Sequence, residues 1–148
     1  MQYKYLSKKE VKQFMNKIKQ QYKIKELNPD YTFLKNKNKI VAVSEGISKI
    51  DFTKLNINTI GMYFADVENK LRLTIEGSQF IGPLAEENIL EINKKQMEDY
   101  FNGKNLAVND RFSDFVILKY ENKFLGTGRY DDGKIINFFP RERRVKFK

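Results

Sequence analysis

The spacing of apolar residues divides the chain into short helices and strands. Between Lys8 and Tyr22 the apolar side chains recur every three or four positions, as in a helix that packs on one side. Ser7 and Glu10 form the S-x-x-E pattern of a capping box, which satisfies free backbone amides where a helix begins. The pattern therefore predicts a first helix over residues 8–22.

The segments that follow have the composition of β-strands. Tyr31–Leu34 and Ile40–Val43 are rich in β-branched and aromatic residues, and the polar turn between them predicts a hairpin. Gly61–Val67 and Leu71–Ile75 predict a second hairpin on the same grounds. We also expect a short helix over residues 47–56, between the two hairpins.

In the second half, a Gly-Pro pair at residues 82–83 breaks the chain before a short apolar strand that ends at Ile92. Asn93 and Gln96 then form another capping box, which predicts a helix that ends at Gly103.

Three strands are predicted near the C-terminus, over Phe115–Tyr120, Phe124–Tyr130 and Lys134–Phe139. Asp132-Gly133 is a strong signal for a tight turn between the last two. Together the elements predict an α+β fold in two parts. Residues 1–70 form a small α/β module, and residues 71–148 form a β-barrel-like module with one or two helices.

The composition excludes several kinds of chemistry. The chain has 148 residues and contains neither cysteine nor histidine, so it has no disulfide, no Cys/His metal site and no Ser-His or Cys-His dyad. Its acidic residues are scattered through polar surroundings. We therefore expect a protein that is not an enzyme and that uses no metal and no cofactor.

The hydropathy pattern also bears on location. No apolar run approaches the roughly 18 residues of a membrane span. The first ten residues lack the apolar segment of a secretory signal. A soluble, cytoplasmic protein without membrane contacts is the expectation.

The positive charge is unevenly distributed. The net charge is +9, and basic residues concentrate at Lys4–Lys25 and at Arg141–Lys148. Such patches attract polyphosphates such as nucleic acids. Lysines outnumber arginines by 22 to 6, however, which biased base composition also produces. Lys12, Lys19 and Lys23 lie along one flank of the first helix and form a possible secondary basic patch.

Two glycines alternate inside the predicted strand that begins at Phe124. A dinucleotide-binding fingerprint would place a third glycine at position 131 and start a helix there, but this position is Asp131 and a hairpin turn follows. Gly126 and Gly128 instead indicate sharp strand curvature or the close approach of another backbone or ligand.

Several motifs of the second half occur in a characteristic order. A helix ends in Y-F-x-G, a strand contains L-G-x-G-[KR], and a later strand closes as N-x-x-P-[RK]-x-x-R. Over residues 75–146 this order resembles the RNA-binding PUA-like domain that ends the Sun/Fmu-type ribosomal RNA 5-methylcytosine methyltransferases. Ile136 departs from the pattern, which has a basic residue there. The matching positions are Leu125, Gly126, Gly128, Arg129, Gly133, Asn137, Pro140, Arg141 and Arg144.

The first half is similar to the pre-PUA module of the Nip-type ribosome biogenesis factors of archaea and eukaryotes. The similarity rests on the capped helix, the hairpin, the segment "VAVSEGISKI" and a Gly-aromatic strand. Together the two resemblances imply an RNA-binding protein of two modules that acts in ribosome biogenesis or rRNA modification. The cysteine and the S-adenosylmethionine pocket of the methyltransferases are missing, so the resemblance implies recognition without catalysis.

The resemblance and the charge pattern together nominate the residues that contact RNA. We expect Arg141 and Arg143 to share one face of an extended chain, with Arg144 on the other face, and to flank Arg129 across the hairpin. The full predicted set is Lys123, Gly126, Gly128, Arg129, Lys134, Asn137, Arg141, Arg143 and Arg144. The expected partner is structured RNA, most simply rRNA. The alternative is an adaptor that binds an assembly factor or a separately encoded RNA methyltransferase.

Overall fold

The computed structural model describes residues 3–44 and 61–144. Within these residues the chain forms two five-stranded sheets and three α-helices. The helices are α1 (Lys8–Tyr22), α2 (Ile75–Ile81) and α3 (Lys94–Phe101). The strands are β1 (Lys4–Tyr5), β2 (Tyr31–Asn36), β3 (Lys39–Ser44), β4 (Met62–Asp66), β5 (Arg72–Leu73), β6 (Ile89–Glu91), β7 (Leu106–Ala107), β8 (Phe115–Tyr120), β9 (Lys123–Asp131) and β10 (Lys134–Asn137). The helix predicted over residues 47–56 lies outside the described residues.

Helix α1 has the predicted bounds and the predicted cap. The backbone N–H of Glu10 donates to Ser7 Oγ at 3.1 Å, and that of Ser7 donates to Glu10 Oε1 at 3.0 Å. The helix ends at Tyr22, and its C-cap residue Lys23 has a left-handed φ of 52°. Its apolar side packs on the first sheet through Phe14, Met15, Ile18 and Tyr22, all of which are buried.

The first sheet is antiparallel, with the order β1-β2-β3-β4-β5, and both predicted hairpins are confirmed. The second hairpin is shorter than predicted. Strand β5 ends at Leu73, and the side chain of Thr74 caps α2 by accepting from the N–H of Gly77 at 3.1 Å. A Cβ on Gly77 would collide with the carbonyl oxygen of Phe64, so the helix packs directly on the backbone of β4. Glycine weakens the helical signal of this segment, which explains why α2 was not predicted.

The second sheet has the order β6-β8-β9-β10-β7 and curls around α3. Strand β6 runs parallel to β8, and the other neighbours are antiparallel. The capping box of Asn93 and Gln96 is confirmed, as is the tight turn at Asp132-Gly133, where both residues have positive φ. The two-residue strand β7 was not predicted. The helices and sheets confirm the α+β fold class. No helix in the described ranges is long and apolar enough to cross a membrane.

The two sheets are joined by buried polar contacts. The hydroxyl of Tyr22 in α1 donates to the carbonyl oxygen of Phe115 in β8 at 2.8 Å. The hydroxyl of Thr127 in β9 donates to the carbonyl oxygen of Leu73 in β5 at 2.9 Å. Ile117 of the second sheet also belongs to the hydrophobic cluster around α1. The first sheet extends past residue 70, because its last strand β5 is Arg72–Leu73. The division into domains 1–70 and 71–148 stays a prediction.

Replacing Tyr22 by Phe tests this joint. The substitution keeps the buried ring and removes one buried hydrogen bond, while the Phe115 carbonyl keeps the amide of Gln21 as a donor at 3.0 Å. We expect the free energy of unfolding to fall by about 1 kcal/mol, measured by urea denaturation. An unchanged value would show that this hydroxyl does not stabilise the contact between the sheets.

Candidate nucleic-acid interface

The first glycine of the L-G-x-G motif makes room for a buried tyrosine. Gly126 has a φ of +139° and lies opposite Leu118, next to a shift in the register of β8 and β9. A Cβ at this position would lie 2.5 Å from the hydroxyl of Tyr100. That hydroxyl donates to the carbonyl oxygen of Thr127 at 2.9 Å, and burial raises its pKa. The absence of a side chain on Gly126 therefore allows the hydrogen bond that links α3 to β9.

The second glycine of the motif makes room for the neighbouring strand. A Cβ on Gly128 would collide with the side chain of Ile135 and lie 3.0 Å from the carbonyl oxygen of Ile136. Gly126 and Gly128 are both buried. The structure gives each of them a packing role, and their part in RNA contact stays a prediction.

Asn137 also has structural partners. Its side-chain N–H groups donate to the carbonyl oxygens of Tyr100 and Lys104, each at 2.8 Å. Its side-chain oxygen accepts from the N–H of Phe139 at 2.8 Å. Asn137 therefore ties the end of β10 to the end of α3, and an RNA contact by it stays a prediction.

The chain after Pro140 does not continue as extended backbone. Arg141–Arg143 form a 3₁₀ turn, closed by hydrogen bonds from the N–H groups of Arg143 and Arg144 to the carbonyl oxygens of Pro140 and Arg141. The prediction of an extended chain with Arg141 and Arg143 on one face is therefore wrong. The reason is physical: β10 ends at Asn137, so the tail has no paired strand and satisfies its backbone locally.

The three arginines of the tail point to different places. Arg143 Nη1 lies 2.8 Å from the carboxylate oxygen Oε1 of Glu76 in α2, and both side chains are partly exposed. The guanidinium of Arg144 occupies the space that a side chain on Gly103 would need. Arg141 is exposed.

A groove of about 530 Å³ lies between α2, the β8–β9 turn and the segment after β10. We call it the helix–hairpin groove. Its lining brings together two of the predicted residues, Lys123 and Arg143, with an apolar floor. The floor consists of Ile75, Pro83, Phe101, Phe124, Leu125 and Phe139, and the remaining polar lining consists of Gln79 and Asn122.

The groove combines two kinds of chemistry. Aromatic side chains offer flat surfaces on which a base can stack, and the amides of Gln79 and Asn122 can donate to and accept from base edges. Lys123 and Arg143 supply positive charge for phosphate groups. The sequence prediction missed the phenylalanines of the floor, because an apolar residue at a strand end looks the same whether it completes a core or lines a groove. It also missed Gln79 and Asn122, because they carry no charge.

The other predicted cations lie elsewhere. Arg129 is exposed and pairs with Phe115 of β8 and with Ile136 of β10. Lys134 pairs with Asp131 and with Ala107. The secondary patch lies on α1 and its C-cap and does not line the groove, and one of its members, Lys23, is 3.5 Å from a carboxylate oxygen of Glu87. The remaining members of that patch are Lys12 and Lys19.

Comparison with known proteins identifies the class of the second sheet and α3. Residues 87–145 match the family model described as the Methyltransferase RsmF PUA domain. This part of the chain is a PUA-like domain of the kind found in the Sun/Fmu-type methyltransferases, as its motifs predicted. No curated protein matches the chain. PUA domains in general bind RNA.

The match covers all five strands of the second sheet and α3, but α2 and the first sheet lie outside it. The resemblance of the first half to the pre-PUA module of Nip-type factors therefore stays a prediction. The absence of catalysis and a cytoplasmic location also stay predictions.

The two glycines can be tested for a structural role. A side chain on Gly126 meets a positive φ and the Tyr100 hydroxyl, and one on Gly128 meets Ile135. We expect Gly126→Ala and Gly128→Ala each to lower the free energy of unfolding by about 1–3 kcal/mol in urea denaturation. Gly133→Ala is the matched control: its φ is also positive, but a Cβ there would touch only a carbonyl oxygen at 3.9 Å. If Gly126→Ala loses no more stability than Gly133→Ala, backbone strain alone explains its effect, and a Gly128→Ala variant as stable as the wild type would show that its close packing does not matter.

Proposed function

We propose that the protein binds structured RNA without catalysing a reaction, and that its PUA-like domain makes the central contacts. The match of residues 87–145 to a PUA domain carries this proposal. The proposed RNA is rRNA or a pre-ribosomal particle, because the similar domain belongs to enzymes that modify rRNA. The protein would then act in ribosome biogenesis or rRNA modification.

The helix–hairpin groove is the proposed contact site within this function. Its lining suits an unpaired base with its flanking phosphates, because it combines phenylalanine rings with the cations Lys123 and Arg143. Arg143 is held by Glu76, so its guanidinium is positioned beside the groove before any RNA arrives.

Salt dependence tests the proposed function. Each phosphate that a cation neutralises releases condensed counterions, so log K should fall linearly with log salt, by about 0.7–0.9 per phosphate contact. We expect the affinity for a structured rRNA fragment to fall steeply between low and moderate salt, as measured by fluorescence anisotropy. If no RNA binds, or if affinity is flat with salt, the adaptor alternative replaces this proposal.

The ion pair between Arg143 and Glu76 allows a sharper test of the groove. Arg143→Ala and Glu76→Gln both break the pair, and each should change the free energy of unfolding by at most about 1 kcal/mol because the pair is partly exposed. Arg143→Ala should weaken RNA binding and lower the salt slope by about one. Glu76→Gln frees the guanidinium and removes a negative charge, so binding should stay the same or improve.

Lys123→Gln should resemble Arg143→Ala in RNA binding. Lys8→Gln is the control. This substitution also removes one positive charge, but at an exposed position at the start of α1 that does not line the groove. Equal losses of affinity in Arg143→Ala and Glu76→Gln would mean that the pair acts only as a strap between the tail and α2. Equal losses in Lys123→Gln and Lys8→Gln would mean that net charge, and not the groove, determines binding.

A further inference from the structure

Cations and aromatic rings alternate across the joint between the two sheets. Lys39 Nζ lies 4.7 Å from the ring centroid of Tyr63. The guanidinium carbon of Arg72 lies 5.6 Å from the ring centroid of Phe138. Lys39 and Tyr63 belong to β3 and β4, Arg72 to β5, and Phe138 follows β10. We call these four residues the seam row.

The register explains why the seam row forms one surface. Directly paired residues of antiparallel strands have side chains on the same face. Asp66 pairs with Lys39 on one side and with Arg72 on the other, and Tyr63 pairs with Val41, two residues from Lys39. The neighbouring residue Phe64 instead packs in the cluster around α1. The seam row therefore lies on the face of the first sheet that points away from α1.

Two consecutive phenylalanines separate this surface from the groove. Phe139 is buried, packs on Tyr100 and Phe101, and lines the groove. Phe138 is 39% exposed and packs edge-on against Phe115, with a centroid distance of 4.9 Å. The exposed ring therefore contributes less to the core than its neighbour does, and part of it is open to a ligand.

Two of the predicted cations extend the seam row along the second sheet. Arg129 pairs with Phe115 and with Ile136, so its side chain shares the face on which Phe115 carries Phe138. Lys134, two residues before Ile136, lies on the same face. Two carboxylates accompany these cations. Asp66 Oδ2 lies 3.8 Å from Arg72 Nη2, and Asp131 is the strand partner of Lys134 in the β9–β10 pair. Four cations against two carboxylates leave the surface positive.

We propose that the seam row with Arg129 is a second RNA-binding surface, which takes an unpaired segment of the RNA that the PUA-like domain binds. This inference rests on the proposed function and adds the first sheet, which lies outside the family match, to the interface. Phe138 offers its exposed ring for a base to stack on. Lys39, Arg72 and Arg129 neutralise the phosphates of the same segment. The planar guanidinium of Arg72 suits this role, because it lies over the ring of Phe138 and can exchange Asp66 for a phosphate group.

The test uses two RNA probes and paired variants. The probes are an rRNA hairpin with a single-stranded extension and the same hairpin with a blunt end. Phe138→Leu keeps an apolar contact with Phe115 but removes the flat ring. We expect it to bind the extended hairpin about tenfold more weakly, with an unchanged salt slope, and the blunt hairpin as well as the wild type does.

Arg72→Gln should lower the salt slope for the extended hairpin by about one. Asp66→Asn is its matched control, because it removes the carboxylate partner of Arg72 but keeps the cation, and it should not weaken binding. Arg129→Gln, at an exposed position, should also lower the slope, and it carries the test if the Arg72 variant does not fold.

The outcomes separate this inference from the proposed function. If the wild type binds neither hairpin, both fail. If groove variants weaken binding while Phe138→Leu, Arg72→Gln and Arg129→Gln bind both probes as the wild type does, the seam row is not an RNA surface and the proposed function stands. Displacement of the extended hairpin by polyglutamate as readily as by single-stranded RNA would also overturn the inference, because charge alone would then explain the binding.

Discussion

The carbonyl oxygen of Phe115 is the point on which the arrangement of the two sheets depends. The hydroxyl of Tyr22 and the side-chain amides of Gln21 and Asn88 all donate to it, at 2.8, 3.0 and 3.1 Å. Two of these donors come from the end of α1, which is packed on the first sheet. The oxygen belongs to β8, an interior strand of the second sheet, so these hydrogen bonds link α1 to that sheet. Buried acceptors need such partners, because an unsatisfied carbonyl would cost about 1–3 kcal/mol.

Both candidate surfaces follow from this arrangement. Because the sheets meet at β5 and β9, α2 is placed beside the β8–β9 turn and leaves the helix–hairpin groove between them. On the other side of the joint, Arg72 of β5 reaches the ring of Phe138. Neither surface belongs to one sheet alone. A PUA-like domain taken without the preceding strands would therefore lack α2 in its groove and Arg72 in its seam.

The sequence predicted local structure well and tertiary neighbours poorly. Helix α1, both capping boxes and the Asp132-Gly133 turn depend on residues close together in the chain, and all were predicted correctly. Helix α2 was missed because its glycine weakens the local helical signal. Gly77 is needed for close packing on the backbone of β4, and that contact cannot be recognised from the residues around Gly77. The turn of the tail was missed because it depends on where β10 loses its partner. Sequence periodicity does not contain that information.

In the candidate site too, the sequence predicted single residues but not which residues lie together. Charge and the family resemblance predicted RNA contacts by Lys123 and Arg143, but charge could not show that one groove would bring the two residues together. The aromatic floor could not be distinguished from core, since stacking on a base and packing in a core require the same residue types.

Three of the motif residues that match the PUA-like family have packing roles in this structure. Gly126, Gly128 and Asn137 carry the resemblance to the PUA-like family, and each of them is used to hold α3, β9 and β10 together. A family match built on such positions reports the fold more directly than it reports an RNA sequence. Three of the side chains that we propose as RNA contacts, Gln79, Asn122 and Arg72, lie between the motif positions or outside the matched residues. Under this proposal, domains with the same motifs can share one scaffold and bind different RNAs, because several of the proposed contact residues are not among the positions that maintain the fold.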